Sequence, residues 1–437
     1  MSTHLTIIDK VFLIGLHGRL GLEIARRLEF LLISQAWDSR KLAQWQASKL
    51  RSLLRQASSN TKYYSNEFIR KAIALADEPR TSIASLPVLP KSTVRDRASD
   101  LWTSNVRRIY SSRTGGTTGT PVELRKCASG VSEALAAMYR GRAYAGIKPS
   151  DFGIMLYGFS KPSWKGTLRM KMVRKELVQA FGADDYRKQR FAKLVESDSA
   201  KFVEGFVSDL VDHVEAVQSA PNNLKAVFTT GEMLYPHQRQ FLMERLNSRV
   251  FSYYGSNEIG GIAFECEHGN LHVTDEHVLV EVLDEQGHPV WEQPGRVVVT
   301  DLDNTAMPLL RYEIGDQAII SRQACPCGRQ HTRITQLLGR QQDFLENEHG
   351  QKLSATFFEG RFRNLTCIGK VQLVQHDLKH VEVLYDGTAT MASNEAEMLA
   401  REIQVGLGES VKVCSKRTRD FFVTERGKIP LIRRHPA

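Results

Sequence analysis

From Lys41 to Ser58, apolar Leu42, Trp45, Leu50, Leu53, Leu54 and Ala57 recur at helical spacing among lysine, arginine and glutamine, which predicts an amphipathic helix. Upstream, Val11-Phe12-Leu13-Ile14-Gly15-Leu16 is followed by His17, Arg19, Glu23, Arg26, Arg27 and Glu29, and these charges interrupt any run of the ~20 apolar residues a membrane helix needs. The stretch is poorly placed for a signal peptide. It reads as an amphipathic helix against the body, with weak attachment to a membrane surface as the alternative. Leu86-Pro87-Val88-Leu89-Pro90-Lys91 is extended, because each proline pushes its predecessor out of the helical region; Ser92 or Thr93 would cap the short helix that follows.

Further on, Val106 to Tyr110 reads as a strand and Ser129 to Tyr144 as a helix of small and apolar residues. Gly153 to Phe159 is a buried strand, and Leu224 to Glu232 a strand running into a loop. A helix from His237 to Leu246 and a strand from Val250 to Gly255 follow. Strand–helix–strand with polar residues at the strand ends is the grammar of a parallel α/β sheet, whose ligands sit at the carboxyl ends of strands. From His272 to Ile320 the pattern becomes short alternating strands with tight turns such as Asp284-Glu285-Gln286-Gly287, an antiparallel β subdomain over about 265–335.

Composition narrows the class. A chain of 437 residues is too long for one ordinary core and predicts two or three domains. Hydrophobic content of 42% and charged content of 25% are those of a soluble globular protein. Net charge of +10 favours anionic ligands, but no nucleic-acid recognition motif accompanies it. The most basic stretch, Lys161 to Arg190, reads as a solvated face, or as a landing site for an acidic partner or a phosphorylated cofactor arm. Six scattered cysteines exclude a secreted disulfide scaffold and point to a reducing, cytoplasmic setting.

Candidate chemistry begins at Ser111–Pro121, where three glycines alternate with hydroxyl residues after a strand. Glycine lets a ligand approach the main chain, and successive N–H groups in such a turn form an anion site. The GxxxxGK[ST] pattern is absent, and a flexible connector is the plain alternative. In order, the loops spell TGGTTGTP at Thr114–Pro121, TTGE at Thr229–Glu232, YGSNE at Tyr254–Glu258, RYEIGD at Arg311–Asp316, LGRQQD at Leu338–Asp343 and RGKIP at Arg426–Pro430. Six motifs in this order resemble the adenylate-forming (acyl-CoA synthetase-like) superfamily, most closely its phenylacetate–CoA ligase-like branch with the capsule-biosynthesis ligase-like proteins. Leu53–Tyr64 and Leu86–Lys91 are similar to that branch as well.

The resemblance implies a large N-terminal adenylation domain of mixed α/β sheets (1–340, with a helical segment over about 1–85) and a small mobile α+β lid (341–437). It implies activation of a carboxylate with ATP and Mg²⁺ to an acyl-adenylate, then acyl transfer to CoA. Thr114, Gly115, Gly116, Thr117, Thr118 and Gly119 would hold the ATP phosphates. Glu258 would bind Mg²⁺, Tyr254, Gly255, Gly231 and Glu232 would lie along the adenine, and Asp316 would take the ribose hydroxyls. Arg340 would meet the ribose or α-phosphate, Lys428 the substrate carboxylate and α-phosphate, and Asp343 would be the hinge. Gly115 stands where the family more often has serine, Thr120 where it often has lysine, and Gln342 where many members carry aspartate. Tyr157, Phe159, Phe228 and Tyr253 suggest a pocket for an aromatic or bulky acid.

Cys266, His268 and His272 fall within seven positions, and Cys325 and Cys327 follow some fifty residues on. Thiolates and imidazoles are ligands of structural Zn²⁺, four in tetrahedral array, and the expected set is Cys266, His272, Cys325 and Cys327 with His268 the rival; free thiols near a turn are the alternative. Cys127, Cys367 and Cys414 read as isolated core or surface residues. The rival acceptors are an amine, a hydroxyl and the pantetheine thiol of an acidic carrier protein, and a homodimer is left open. A nucleotide-binding homologue without catalysis is the rival from another class, against which Lys428 argues, since a mere binder has no need of it.

Overall fold

The structure, a computed structural model, describes residues 4–65, 83–106, 108–113, 123–157, 175–179, 185–340, 344–349, 352–354, 368–387, 389–408, 410–423 and 429–434. In chain order come α1 (Ile7–His17), α2 (Gly21–Ser34), α3 (Ser39–Asn60), α4 (Lys91–Asp96), α5 (Ala98–Leu101), the strands β1 (Ile109–Arg113) and β2 (Glu123–Cys127), and α6 (Ala128–Ala143). Next are β3 (Gly153–Tyr157), β4 (Lys175–Gln179), α7 (Asp185–Glu196), β5 (Phe202–Phe206), α8 (Val207–Val214), β6 (Ala226–Thr230) and α9 (Pro236–Leu246). Then follow β7 (Arg249–Ser256), β8 (Gly260–Glu265), β9 (Leu271–Val273), β10 (Val278–Leu283), β11 (Gly295–Asp301), β12 (Tyr312–Ser321) and β13 (Arg333–Arg340). The last are β14 (Phe344–Glu346), β15 (Lys352–Ser354), β16 (Ile368–Asp377), β17 (His380–Gly387), α10 (Ala389–Leu407), β18 (Lys412–Arg417) and β19 (Ile432–Arg434).

These elements fall into two compact units: Met1–Phe152 with Trp164–Lys175 and Phe251–Leu337, and Gly153–Ser163 with Glu176–Val250 and Leu338–Ala437. In the first, α1 starts in a capping box, Thr6 Oγ1 accepting from Asp9 N–H while Asp9 accepts from Thr6 N–H. Its Leu13 is buried in a core with α2 and α6, whereas Ile7, Val11 and Ile14 stay exposed on the other face. Asp38 caps α3, whose Leu42, Leu50, Leu53, Leu54 and Ala57 are buried at the predicted spacing. The strands of this unit run β10-β11-β12-β13-β9-β8-β7. The pairs β10–β11, β11–β12, β13–β9, β9–β8 and β8–β7 are antiparallel, for instance Val280 with Val299 and Phe264 with His272, and the antiparallel region begins at the β7–β8 hairpin rather than at His272.

Three local readings are corrected. No side chain caps α4, because the helix starts at Lys91 with extended Pro90 as its boundary, so Ser92 and Thr93 lie inside it. The strand expected at Val106–Tyr110 begins at Ile109 and runs to Arg113, pairing with β2 so that Ser112 faces Leu124 across the ribbon. Lys175 is not part of a solvated face: its ammonium is buried against the carbonyls of Pro149 and Asp151. Of the other residues in that basic stretch, Arg190 pairs with Glu176, and Lys161 to Arg174 lie outside the described residues.

In the second unit the order β6-β5-β3-β4 contains parallel pairs, Val203 facing both Ile154 and Val227. Strand β5 is buried along nearly its whole length, Glu204 included, as expected of a strand in a parallel sheet covered on both faces. A separate sheet, β18-β17-β16-β19, packs α10 around Leu373, Val383, Leu399, Ile403 and Leu407.

Candidate active site and metal centre

Within the first unit, two of the predicted motifs are cross-linked side chain to side chain. Tyr254 Oη donates to Asp316 Oδ2 at 2.7 Å, and Tyr312 Oη donates to Glu258 Oε1 at 3.2 Å. Tyr254 and Glu258 flank the β7 turn, and Tyr312 and Asp316 sit on β12. A register shift at Tyr254/Gly255 bends β7 there. Any Cβ at Gly255 would meet the Gly260 carbonyl oxygen at 2.3 Å, so only glycine fits this bulge.

Glu258 is 7% exposed, and Lys91 Nζ lies 3.5 Å from its Oε1. Burial opposes ionisation, but the Lys91 charge, a backbone N–H and Tyr312 outweigh it and hold the carboxyl below the usual glutamate range. Lys91 arrives there because the LPVLPK segment is pinned along β12: Leu89 N–H donates to Arg311 O at 2.8 Å and Glu313 N–H to Leu89 O at 3.0 Å. Arg311 is itself scaffold. Its buried guanidinium bridges Glu281 and the carbonyls of Ala84 and Leu86, 2.7–3.1 Å away. Neither Lys91 nor Tyr312 carries a role in the sequence reading, although both lie in quoted motifs. The signal available was a lysine directly after a proline-ordered extended segment.

In the second unit, β6 ends at Thr230, and Gly231 after it turns the chain through the left-handed region with a φ of +77°. The next residue, Glu232, accepts from Ser208 N–H at 2.7 Å, from Ser208 Oγ–H at 2.9 Å and from Ile429 N–H at 3.2 Å. Beside it, burial and then the Glu232 charge push Asp209 up to about 8. Of the four residues expected around an acid pocket, Phe228 is a core residue, 3% exposed and edge-on to Phe202. Tyr253 stacks on Phe264 at 5.5 Å. The Tyr157 side chain and Phe159 lie outside the described residues, as do Thr114–Thr120, the Arg340 side chain, Asp343 and Lys428.

The Cys/His residues do converge. The ligand atoms of Cys266, His272, Cys325 and Cys327 all lie within 4.8 Å of one another. Cys266 Sγ is 3.8 Å from Cys325 Sγ, and Cys327 Sγ is 3.3 Å from His272 Nε2. A tetrahedral zinc with Zn–S of about 2.3 Å spaces its sulfurs about 3.8 Å apart, so the donor set fits that ion in type, number and span. His268, exposed, is not in the cluster; its backbone N–H donates to Cys266 Sγ at 3.4 Å. Burial, reinforced by the His331, Arg329, Arg140 and Arg333 charges, lowers His272 to about 3, leaving the neutral imidazole a metal needs. Burial pushes the Cys266 thiol up to about 12, while Cys327 is held below the usual range because bonds from Arg329 outweigh its burial. Among the remaining cysteines, Cys127 is buried and Cys414 exposed, and Cys367 lies outside the described residues.

Behind this cluster lies a network the sequence did not announce. Arg140 on α6 donates to both oxygens of Glu276 at 2.9 and 3.1 Å and to Thr274 Oγ1 at 3.1 Å. Glu276 also bonds His331 Nε2 at 3.0 Å and Ser34 Oγ on α2. The His331 ring meets His272 edge-on, with centroids 6.5 Å apart.

No family model matches the chain. Over 255 residues it is 28% identical to a phenylacetate-coenzyme A ligase of Thermus thermophilus, a match covering 55% of this chain and 56% of that protein, little more than half its length. Over 362 residues it is 21% identical to protein CapK of Staphylococcus aureus, covering 79% and 76%. Its fold is similar to that of a 2-hydroxyisobutyryl-CoA ligase solved with an acyl-AMP in the postadenylation state, with a TM-score of 0.74 at 16% identity over 92% of each chain.

Proposed function

We propose that this chain is a member of the adenylate-forming superfamily, on its phenylacetate–CoA ligase-like branch, and an ATP-dependent carboxylate–CoA ligase. The acid's carboxylate oxygen attacks the α-phosphorus of ATP and pyrophosphate leaves; the CoA thiolate then attacks the acyl carbon and AMP leaves. An aryl or otherwise bulky acid is the substrate. The observation that carries this reading is the double cross-link between YGSNE and RYEIGD, Tyr254 to Asp316 and Tyr312 to Glu258, which fixes an ionised carboxylate beside a tyrosine–aspartate pair.

In this reading Glu258 holds Mg²⁺, a hard cation suited to a carboxylate oxygen, which supplies charge neutralisation at the phosphates. The Lys91 ammonium favours the ionised form of Glu258, the form in which it would hold the metal. Asp316, oriented by Tyr254, takes the ribose hydroxyls, and Gly231, Tyr254, Gly255 and the main chain of Glu232 are assigned to the adenine. The loop Thr114–Gly119 takes the phosphates, Arg340 the ribose or α-phosphate, and Lys428 the charge that develops as the adenylate forms. Residues 341–437 act as a lid turning at Asp343, which is supported by the core that Leu345 to Ile432 build among themselves. Zinc on Cys266, His272, Cys325 and Cys327 is structural, since four protein ligands leave no open position.

The test is pyrophosphate release across a panel of carboxylic acids, with and without CoA. Acid-dependent release with thioester formation is expected, and Lys428→Ala abolishes it. Absence of release with every acid overturns the reading.

A further inference from the structure

We infer that Glu232 is a positioning residue for Lys428, fixing the peptide next to that lysine rather than reading the nucleotide with its carboxylate; the inference rests on the adenylation role assigned to Lys428. Both Glu232 oxygens are engaged by the protein. Oε2 accepts from Ser208 N–H at 2.7 Å, and Oε1 accepts from Ser208 Oγ–H at 2.9 Å and Ile429 N–H at 3.2 Å. Ser208 lies in the first turn of α8, so the carboxylate is gripped from the helix side and presents Oε1 to the C-terminal segment. Ile429 follows Lys428 directly in the sequence, so the held N–H is that of the peptide unit joining the two residues.

The rest of the segment is fixed from the other side. Gln372 Nε2 donates to Pro430 O at 3.1 Å, Leu373 N–H donates to Leu431 O at 2.7 Å, and Ile432 then pairs with Leu373 in the β16–β19 ladder. Lys370, also on β16, pairs with Asp212 on α8. Residues 430–434 thus owe their place to β16, whereas the amide beside Lys428 owes its place to Glu232 alone among the bonds described. Burial and then the Glu232 charge push the neighbouring Asp209 up to about 8, so the Ile429 bond to the charged Glu232 carboxylate is charge-assisted.

Glu232→Gln and Glu232→Ala in the full chain test this through two readouts. Limited trypsin digestion monitors cleavage of the Lys428–Ile429 bond, which needs no substrate. Acid-dependent ATP–pyrophosphate exchange gives kcat and the KM for ATP. Loss of a charge-assisted bond predicts cleavage about 10-fold faster or more in Glu232→Ala, with Glu232→Gln between it and the parent, and kcat for exchange about 10- to 100-fold lower with KM for ATP within about twofold. Ser208→Ala, which keeps the Ile429 bond, leaves cleavage within about twofold. Unchanged cleavage in both Glu232 variants overturns the inference, as does a raised KM for ATP with unchanged kcat. If the parent enzyme shows no exchange with any acid, the ligase reading fails, while the cleavage arm still decides whether Glu232 tethers the segment.

Discussion

Replacing Arg140 by methionine strips its guanidinium from a carboxylate that is wholly enclosed. Both members of the Arg140–Glu276 pair are 0% exposed, and burial alone would raise the Glu276 pKa; the Arg140 and His331 charges and the Ser34 hydroxyl reverse that and hold it far below the usual range. Removing one partner of a buried, hydrogen-bonded pair costs about 3–5 kcal/mol, because the other charge is left desolvated. At about 2–4 °C per kcal/mol, a domain of this size should melt roughly 6–20 °C lower. Glu276→Met should cost a similar amount by stranding Arg140. The double substitution, which exchanges the pair for two apolar side chains, should cost less than either single one. Urea unfolding of the four proteins, followed by circular dichroism, supplies the cycle. Single substitutions costing under about 1 kcal/mol, or costs that simply add, would refute the view that this pair ties α2 and α6 to the strands behind the cysteine cluster.

Three further outcomes follow from the same geometry. Tyr254→Phe deletes the bond to Asp316, and steady-state kinetics should show KM for ATP about 5- to 10-fold higher with kcat nearly unchanged. Asp209 has a folded pKa of about 8, well above its ordinary value, so its burial costs stability increasingly as pH rises from about 4 to 8; Asp209→Asn should therefore raise the melting temperature little at pH 4.5 and most near pH 8, and a gain independent of pH would contradict this. Purified protein should carry about one zinc per chain by elemental analysis and lose it in Cys325→Ser; a metal-free parent would dismiss the site.

What the sequence made legible follows the physics of each signal. The long amphipathic helix α3 was readable because its periodicity extends over the whole element, and the run around α9 because short apolar strands end in polar loops on either side of it. The Cys/His set was readable because metal ligands are scarce residue types at restricted spacing; the sequence already favoured His272 over His268, and His272 is the buried one that joins the cluster on β9. Boundaries were less legible: a Ser or Thr near a helix start looks like a cap, yet Pro90 already ends the extended segment. Long-range partners were not legible at all. Arg140 and Glu276 lie 136 residues apart, and Glu232 and Ile429 lie 197 apart, and nothing local in either stretch announces the contact. Glu232 shows the consequence, since a motif position assigned to the nucleotide has its carboxylate bonded to the protein itself.

The central claim is that a carboxylate attacks the α-phosphorus before the thiol attacks the acyl carbon. The most direct measurement uses an accepted acid labelled with ¹⁸O in its carboxylate, turned over with ATP and CoA, followed by mass spectrometry of the AMP. AMP carrying one ¹⁸O from the acid is the predicted result, because the bridging oxygen of the acyl-adenylate leaves with the phosphate. Unlabelled AMP alongside thioester product would contradict the account.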